Sequence, residues 1–359
     1  MARTAETRPM ITGVIGAGKI SDVYLRNMIG RYDELTVRCI ASLHIENARK
    51  KAARYHLRAC TTEELLKDEE IELAVILTPV DTHYALIKSA LLAGKHVYSE
   101  KTLTDDPVRA KELLALADEK GLALGCAPDT FLGPAMQKAR DLIDAGELGE
   151  IQSFAISVNR NSDALLSVYT FLQRPGCGVL YDYAVYYITC LCRLLGPVQR
   201  VSAIIRNPYP NRKNTQPGAD YGKPFVLPNE TQAASLLEMA SGIAGTLQVN
   251  ADSLSKDQAY FALYGTRGIL YLTNPNRFGG TLRLLYNSED PDYPVREERY
   301  DFAEEDLRGI GPADLVRSLR NNTKPNASKE LACHVLDVLS AMLESGRSGS
   351  GMISVSGSI

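Results

Sequence analysis

The sequence predicts two domains, an α/β domain with a mostly parallel sheet followed by an α+β domain with a mostly antiparallel sheet. Three observations predict it. Between residues 10 and 126 short apolar runs alternate with amphipathic stretches, the pattern of βαβ units. Beyond Asp129 the alternation stops, and strands follow one another through short turns such as Ala240-Ser241-Gly242. The chain has 359 residues, too many for one ordinary core and enough for two.

Taken in order, 10–15 is an apolar run ending in glycines, the mark of a buried parallel strand, and 20–29 reads as a helix. A second strand is expected at 35–41, a helix at 46–55, a third strand at 71–77 and a helix at 83–92. Gly94 suits the left-handed position just past that helix. A strand at 96–99, a helix at 107–119 and a strand at 122–126 complete the first half. In the second half, helices are expected at 134–145 and 178–194, each leading to a strand, at 151–158 and 198–205. Strands at 233–239, 243–249, 259–264 and 269–272 follow, then helices at 312–319 and 329–343. The polar stretch 207–223 reads as a long excursion, and 345–359 as a frayed Gly/Ser tail. The expected domains are therefore 1–128, 129–345 and a flexible tail at 346–359.

A net charge of −3 gives no electrostatic reason to bind nucleic acid or an acidic membrane surface. No apolar stretch is long enough to span a bilayer, and the polar 1–10 segment does not read as a secretory signal. The cysteines are scattered, and Cys190 and Cys192 have the wrong spacing for a zinc knuckle, so reduced thiols in the cytoplasm and no metal site are expected.

Gly16-Ala17-Gly18-Lys19-Ile20-Ser21 matches G-x-G-x-x-(small) between a strand and a helix. In that context Gly16 allows the tight turn and Gly18 lets the backbone approach a pyrophosphate. Ser21 lets strand and helix pack closely, and the helix N-terminus faces the phosphates. This predicts a Rossmann domain binding NAD or NADP, with Gly16, Gly18, Lys19 and Ile20 at the cofactor. The tip of the second strand, Ala41-Ser42-Leu43-His44, lacks the carboxylate that grips the ribose of NAD. Ser42 tolerates a 2′-phosphate, Arg49 or Lys50 can reach one, and Glu46 can turn back to the ribose. Both cofactors stay open.

Thr78-Pro79 and His83 follow the third strand at its carboxyl end, where ligands of such sheets bind. His83 either touches the cofactor or packs the start of its helix. Glu100-Lys101 follows another strand at the same edge. A lysine beside a nicotinamide in a partly dry cleft has a lowered pKa and can deprotonate a substrate hydroxyl.

Gly16-Ala17-Gly18, Thr78-Pro79 and Glu100-Lys101 at these spacings resemble the Gfo/Idh/MocA oxidoreductase family. Gly94-Lys95-His96-Val97, Gly146-Glu147-Leu148-Gly149 and the turn Tyr264-Gly265-Thr266-Arg267-Gly268 are similar to family segments as well. The segment 178–186 resembles the family's G-x-L-x-D-x-G-x-H, with Ala184 for the glycine and Tyr186 for the frequent catalytic histidine. No histidine lies between His96 and His334 to replace it, and Thr102 stands where the family usually has proline.

The resemblance implies a Rossmann domain, a second domain with a large open sheet used for homo-oligomers, and a sugar or polyol hydroxyl oxidised or reduced with NAD(P). It also implies that Asp182 and Tyr186, four apart and on one helical face, meet Lys101 as the catalytic group. Asn159, Arg160 and Tyr169 fall where substrate-lining residues lie. The segment 125–133 resembles a bacterial branch, some of whose members oxidise C3 of glucosides ahead of bond cleavage by a partner enzyme. A glycosidase with recycled NAD and a non-catalytic NAD(P) sensor are the rival readings.

Overall fold

β1 (Met10–Ile15) is an apolar strand whose last four residues are buried, and it pairs in parallel with both of its neighbours. Those neighbours are built by the helical crossovers that parallel strands require. In chain order they are α1 (Ser21–Gly30), β2 (Leu35–Ala41), α2 (Ile45–Tyr55), β3 (Arg58–Cys60) and α3 (Thr62–Lys67), then β4 (Leu73–Ile76), α4 (His83–Leu92), β5 (His96–Ser99), α5 (Pro107–Lys120) and β6 (Leu124–Cys126). The sheet order is β3-β2-β1-β4-β5-β6, parallel throughout. The order reverses between β1 and β4, which makes their carboxyl ends the switch point where ligands of open α/β sheets bind. The computed structural model describes residues 8–174, 177–255, 258–287, 295–349, 351–357 and 359.

β3 and α3 escape the periodicity argument because both are short. The start of α3 is nonetheless written in the sequence. Thr61 accepts from the Glu64 N–H, and Glu64 accepts from the Thr61 N–H, a reciprocal cap. Gly94 takes its expected left-handed φ of 74°.

The second unit carries α6 (Pro134–Asp144), β7 (Ile151–Asn159), α7 (Asp163–Val168), α8 (Val185–Leu195) and β8 (Val198–Arg206). A hairpin of β9 (Asn211–Lys213) with β10 (Pro224–Val226) follows, then β11 (Gln232–Met239), β12 (Ala244–Asn250), β13 (Gln258–Gly265), β14 (Gly268–Tyr271), β15 (Gly280–Asn287) and β16 (Val295–Phe302). After α9 (Ile310–Asn321) and α10 (Lys329–Ser348) the last element is β17 (Ile353–Ser354). The large sheet runs β16-β15-β14-β13-β7-β12-β11-β8-β17, antiparallel except for the parallel pair of β7 with β12. Strand alternation puts Phe154, Ile156 and Val158 of β7 into the core on one face.

Two features depart from the sequence reading. The compact units are 1–132 with 306–336, and 133–305 with 337–359, so the chain returns to its first unit instead of dividing once at 128. The return covers the open edge of β6, where the Cys126 N–H donates to the Ala327 carbonyl at 3.1 Å. The expected frayed tail carries regular structure among its described residues. Helix α10 runs to Ser348, the Ala203 N–H donates to Ser345 Oγ at 3.0 Å, and β17 pairs with β8. The excursion over 207–223 is pinned too, because Asn207 Nδ2 donates to the carbonyls of Leu227 and Asn229.

Candidate functional site

The glycine turn meets the demands of a pyrophosphate cradle. Gly16 has φ of 118°, and a Cβ there would lie 2.7 Å from the backbone of Leu77, so only glycine fits. At Gly18 a Cβ would meet nothing within 4 Å, which leaves the backbone open to a ligand. Ser21 is fully buried and donates its hydroxyl to the Gly18 carbonyl at 2.7 Å, closing the turn onto α1. Lys19 and Ile20 sit in this turn at the start of α1, where the N–H groups of Ser21 and Asp22 make long bonds, each 3.3 Å, back to the carbonyls of Gly18 and Lys19. The residues present fit a dinucleotide.

At the tip of β2, Ser42 is half-buried and Leu43 stands in solvent. Glu46 pairs with Arg49 at 2.5 Å on the exposed face of α2. The carboxylate and the guanidinium that were candidates for the ribose and its phosphate therefore hold each other.

Thr78 and Pro79 follow β4, and Thr82 Oγ1 donates to Thr78 Oγ1 at 2.7 Å. His83 is fully buried, with Nδ1 2.7 Å from the Thr102 carbonyl and Nε2 2.8 Å from the Thr78 carbonyl. Burial lowers the pKa of this imidazole, against the two carbonyls that favour the charged form. A neutral ring has one N–H, so it donates to one of the two at a time. Of the two sequence readings for His83, burial selects packing. The ring ties the Thr78 loop to the Lys101 loop.

Glu100 leaves β5 through its N–H, which donates to the Ile76 carbonyl at 2.8 Å. Its Oε1 accepts the Tyr24 hydroxyl at 2.8 Å and its Oε2 accepts the Lys101 N–H at 3.1 Å. Thus α1 fixes the carboxylate that shapes the Lys101 backbone. Lys101 is half-buried, and the peptide joining it to Thr102 is cis, as is Ala127–Pro128.

Asp129 lies in the same unit. It is buried and accepts the Gly311 N–H at 2.9 Å. Burial pushes its pKa up to about 6, against the opposing charge of Arg308.

In the second unit the expected helix over 178–194 begins instead with one wide π turn, Leu180–Ala184, before α8. Such turns interrupt helices at functional sites more often than elsewhere. Its start is anchored by Glu230, a buried acid. The N–H of Leu180 donates to Glu230 Oε1 at 3.1 Å, and a Cβ on Gly178 would collide with the same carboxylate. Burial raises the Glu230 pKa.

From Tyr181 to Cys192 every residue is buried except Asp182, which is half-buried and can therefore meet a ligand. Tyr186 retains only 8% exposure, and its ring centroid is 6.1 Å from that of Tyr183. Tyr183 accepts from Asn274 Nδ2 at 2.9 Å. Asn159 Oδ1 accepts from Asn250 Nδ2 at 3.3 Å across the sheet, and Arg160 begins the next loop with its guanidinium over the Tyr183 ring. Tyr169 packs, partly buried, against the apolar cluster of Leu166, Leu172 and Leu227.

Residues 10–127 match the family model described as oxidoreductase family, NAD-binding Rossmann fold, and 136–271 match the Gfo/Idh/MocA C-terminal domain. The chain belongs to the Gfo/Idh/MocA family. Among curated relatives, an uncharacterized oxidoreductase of Schizosaccharomyces pombe is 36% identical over 39% of this chain and 38% of its own length. The dTDP-3,4-didehydro-2,6-dideoxy-alpha-D-glucose 3-reductase of Streptomyces violaceoruber is 29% identical over 73% of this chain and 78% of its own length. Among solved structures, levoglucosan dehydrogenase in complex with NADH has a TM-score of 0.85 at 19% identity, covering 97% of this chain and 100% of that one. At that identity the likeness is one of fold. The wide π turn lies within the part of the chain that matches the C-terminal domain.

Glu230, Tyr24 and Asp129 were not among the residues singled out from the sequence as site residues. Glu230 and Tyr24 carry no local motif. Asp129 lies inside the segment noted for its family likeness, but its burial against Gly311 depends on chain from far away.

Proposed function

We propose that the chain is an NAD(P)-dependent oxidoreductase that moves a hydride between a secondary hydroxyl of a sugar or glycoside and the cofactor. One observation carries this reading. A cradle open at Gly18 and a lysine at position 101 both lie at the carboxyl edge of the same parallel sheet. When bound, the nicotinamide accepts or supplies the hydride.

The chain's own residues handle the proton and the placement. Lys101 takes the proton of the substrate hydroxyl, with its backbone set by Glu100 and Tyr24. Asp182 and Tyr186 serve as orienting and proton-holding groups of the second unit. Gly16, Gly18, Lys19, Ile20, Ser42, Thr78, Pro79 and Glu100 form the cofactor side, and His83 ties two of its loops together.

Oxidation at C3 of a glucoside is the sharper form of this reading. The Streptomyces relative named as a 3-reductase of a dTDP-sugar supports attention to that carbon. The scattered cysteines suit a reducing cytoplasm. The large sheet exposes Ile204 and Leu236, which share one face of neighbouring strands β8 and β11, and this face suits a homo-oligomer.

The test follows reduced-nicotinamide absorbance and free-sugar release together over a panel of sugars and glucosides. Net reduction without release supports the dehydrogenase; release without net reduction overturns it in favour of a glycosidase with recycled NAD. Lys101→Ala should lower kcat by roughly 10²–10⁴-fold while sparing cofactor binding. Undiminished turnover would remove Lys101 from the chemistry.

A further inference from the structure

The arginine that follows β7 is held in an unusual state. Its backbone is fixed on both sides, because the Arg160 N–H donates to the Asn250 carbonyl at 2.9 Å and the Arg160 carbonyl accepts from Ser253 at 3.2 Å. Its guanidinium carbon lies 3.9 Å from the centroid of the Tyr183 ring. Its Nε is buried and has no hydrogen-bond partner.

The acids near it in the fold are already taken. Arg212 binds Asp163 Oδ1 through one terminal nitrogen at 2.7 Å and Asp252 Oδ1 through the other at 2.6 Å. The remaining oxygen of Asp252 accepts from Thr231 and Gln232. Among the described residues no carboxylate pairs with Arg160.

With Nε buried, the two terminal nitrogens of the guanidinium are what a ligand can reach, and they offer parallel donors spaced for a carboxylate. The contact with the ring also restrains the side chain in advance, so less freedom is lost when a ligand binds. The tyrosine under the stack is the neighbour of Tyr186, with ring centroids 6.1 Å apart. The cation is therefore held one ring away from Tyr186.

We infer that Arg160 clamps a carboxylate of the substrate, so that the enzyme acts on an acidic sugar such as a uronic or aldonic acid or a glycoside of one. This inference rests on the oxidoreductase reading for its chemistry, although binding at Arg160 does not require turnover. The single unmatched positive charge suits a monoanion. A phosphate dianion would call for a second cation.

The experiment pairs binding with turnover. Thermal shift of the wild-type chain, loaded with NAD or NADP, is measured with glucuronate, gluconate, glucose and glucose 6-phosphate. Arg160→Gln and Arg160→Lys are measured alongside, and the melting temperatures without ligand show that the variants fold. The carboxylates should stabilise the wild type and the neutral sugar should do so far less. Arg160→Gln should abolish that difference and Arg160→Lys should retain part of it. In steady state the preference in kcat/KM for acid over neutral sugar should collapse about 100-fold in Arg160→Gln, chiefly through KM. No stabilisation by either carboxylate, or equal stabilisation in Arg160→Gln, overturns the proposal. A larger Arg160-dependent shift with the sugar phosphate overturns the carboxylate assignment. Arg160-dependent binding of carboxylates without nicotinamide reduction on any sugar would instead sink the oxidoreductase reading and leave the anion site standing.

Discussion

Tyr24, wholly buried on α1, donates its hydroxyl to Glu100 Oε1 at 2.8 Å, and the other oxygen of Glu100 accepts the Lys101 N–H at 3.1 Å. The first helix of the chain thereby reaches the backbone of the proposed proton acceptor through a single carboxylate. Tyr24→Phe removes the donor and frees that carboxylate to turn. The expected result is a loss of stability of about 1 kcal/mol and a fall in kcat of roughly tenfold with cofactor KM little changed. Denaturant unfolding and steady-state kinetics measure both. Unchanged kcat would show that Glu100 does not position Lys101.

The two glycines of the cradle should separate fold from binding. Gly16→Ala places a Cβ against the Leu77 backbone at a positive φ, so the apo chain should melt well below the wild type. Gly18→Val meets no protein atom at its Cβ, so the apo melting temperature should hold while cofactor Kd rises more than about tenfold. Calorimetric titration and thermal melting decide it, and equal binding by Gly18→Val would remove the cradle assignment.

Cofactor choice should be readable at Ser42. Arg49 is engaged by Glu46 on the exposed helix face, so neither fixes the ribose in the structure as it stands. Ser42→Asp supplies the missing carboxylate at the strand tip, which grips the 2′-hydroxyl and repels a 2′-phosphate. The ratio of kcat/KM for NAD over NADP should rise at least about tenfold. A ratio that does not move would place the ribose elsewhere.

Two buried groups should tilt stability in opposite directions as pH changes. Asp129 ionises near 6 in the folded chain against about 3.9 unfolded, so the folded state holds its proton longer and stability falls as pH rises from 4 to 6. Asp129→Asn should therefore gain on the wild type across that window, by up to about 3 kcal/mol above pH 6. His334 is pushed down to about 4 by burial, so the unfolded chain takes up the proton first and stability falls as pH drops from 6.5 to 4. His334→Gln should flatten that acid-side loss. Urea unfolding at several pH values measures each slope, and variants with the wild-type slope would refute the assignments.

The residues legible in the sequence were those whose function is local. Gly16 and Gly18 are a backbone requirement and lie within a few positions of the strand and helix they join, so their spacing declared them. The strand–helix alternation gave the parallel sheet for the same reason, since periodicity records which face of each element is buried. β16 went unread because both of its faces are exposed and charged, as in Arg296, Glu297, Glu298 and Arg299, while β15 alternates only briefly, with Leu282 and Leu284 buried on one face.

What the chain determined by itself was the cradle, the class of sheet around it and the position of Lys101 at a strand end. Only the tertiary structure decided that His83 is buried between the Thr78 and Thr102 carbonyls, that Asp129 is a buried acid at the start of α9, and that Ile353–Ser354 form β17. It also decided which arginine is satisfied and which is not. Arg212 and Arg160 are indistinguishable in composition, yet one binds two aspartates while the other lies on Tyr183 with a buried, unpartnered Nε. The physical reason is that charge compensation and burial depend on side chains brought together from distant parts of the chain, and local spacing holds no record of them.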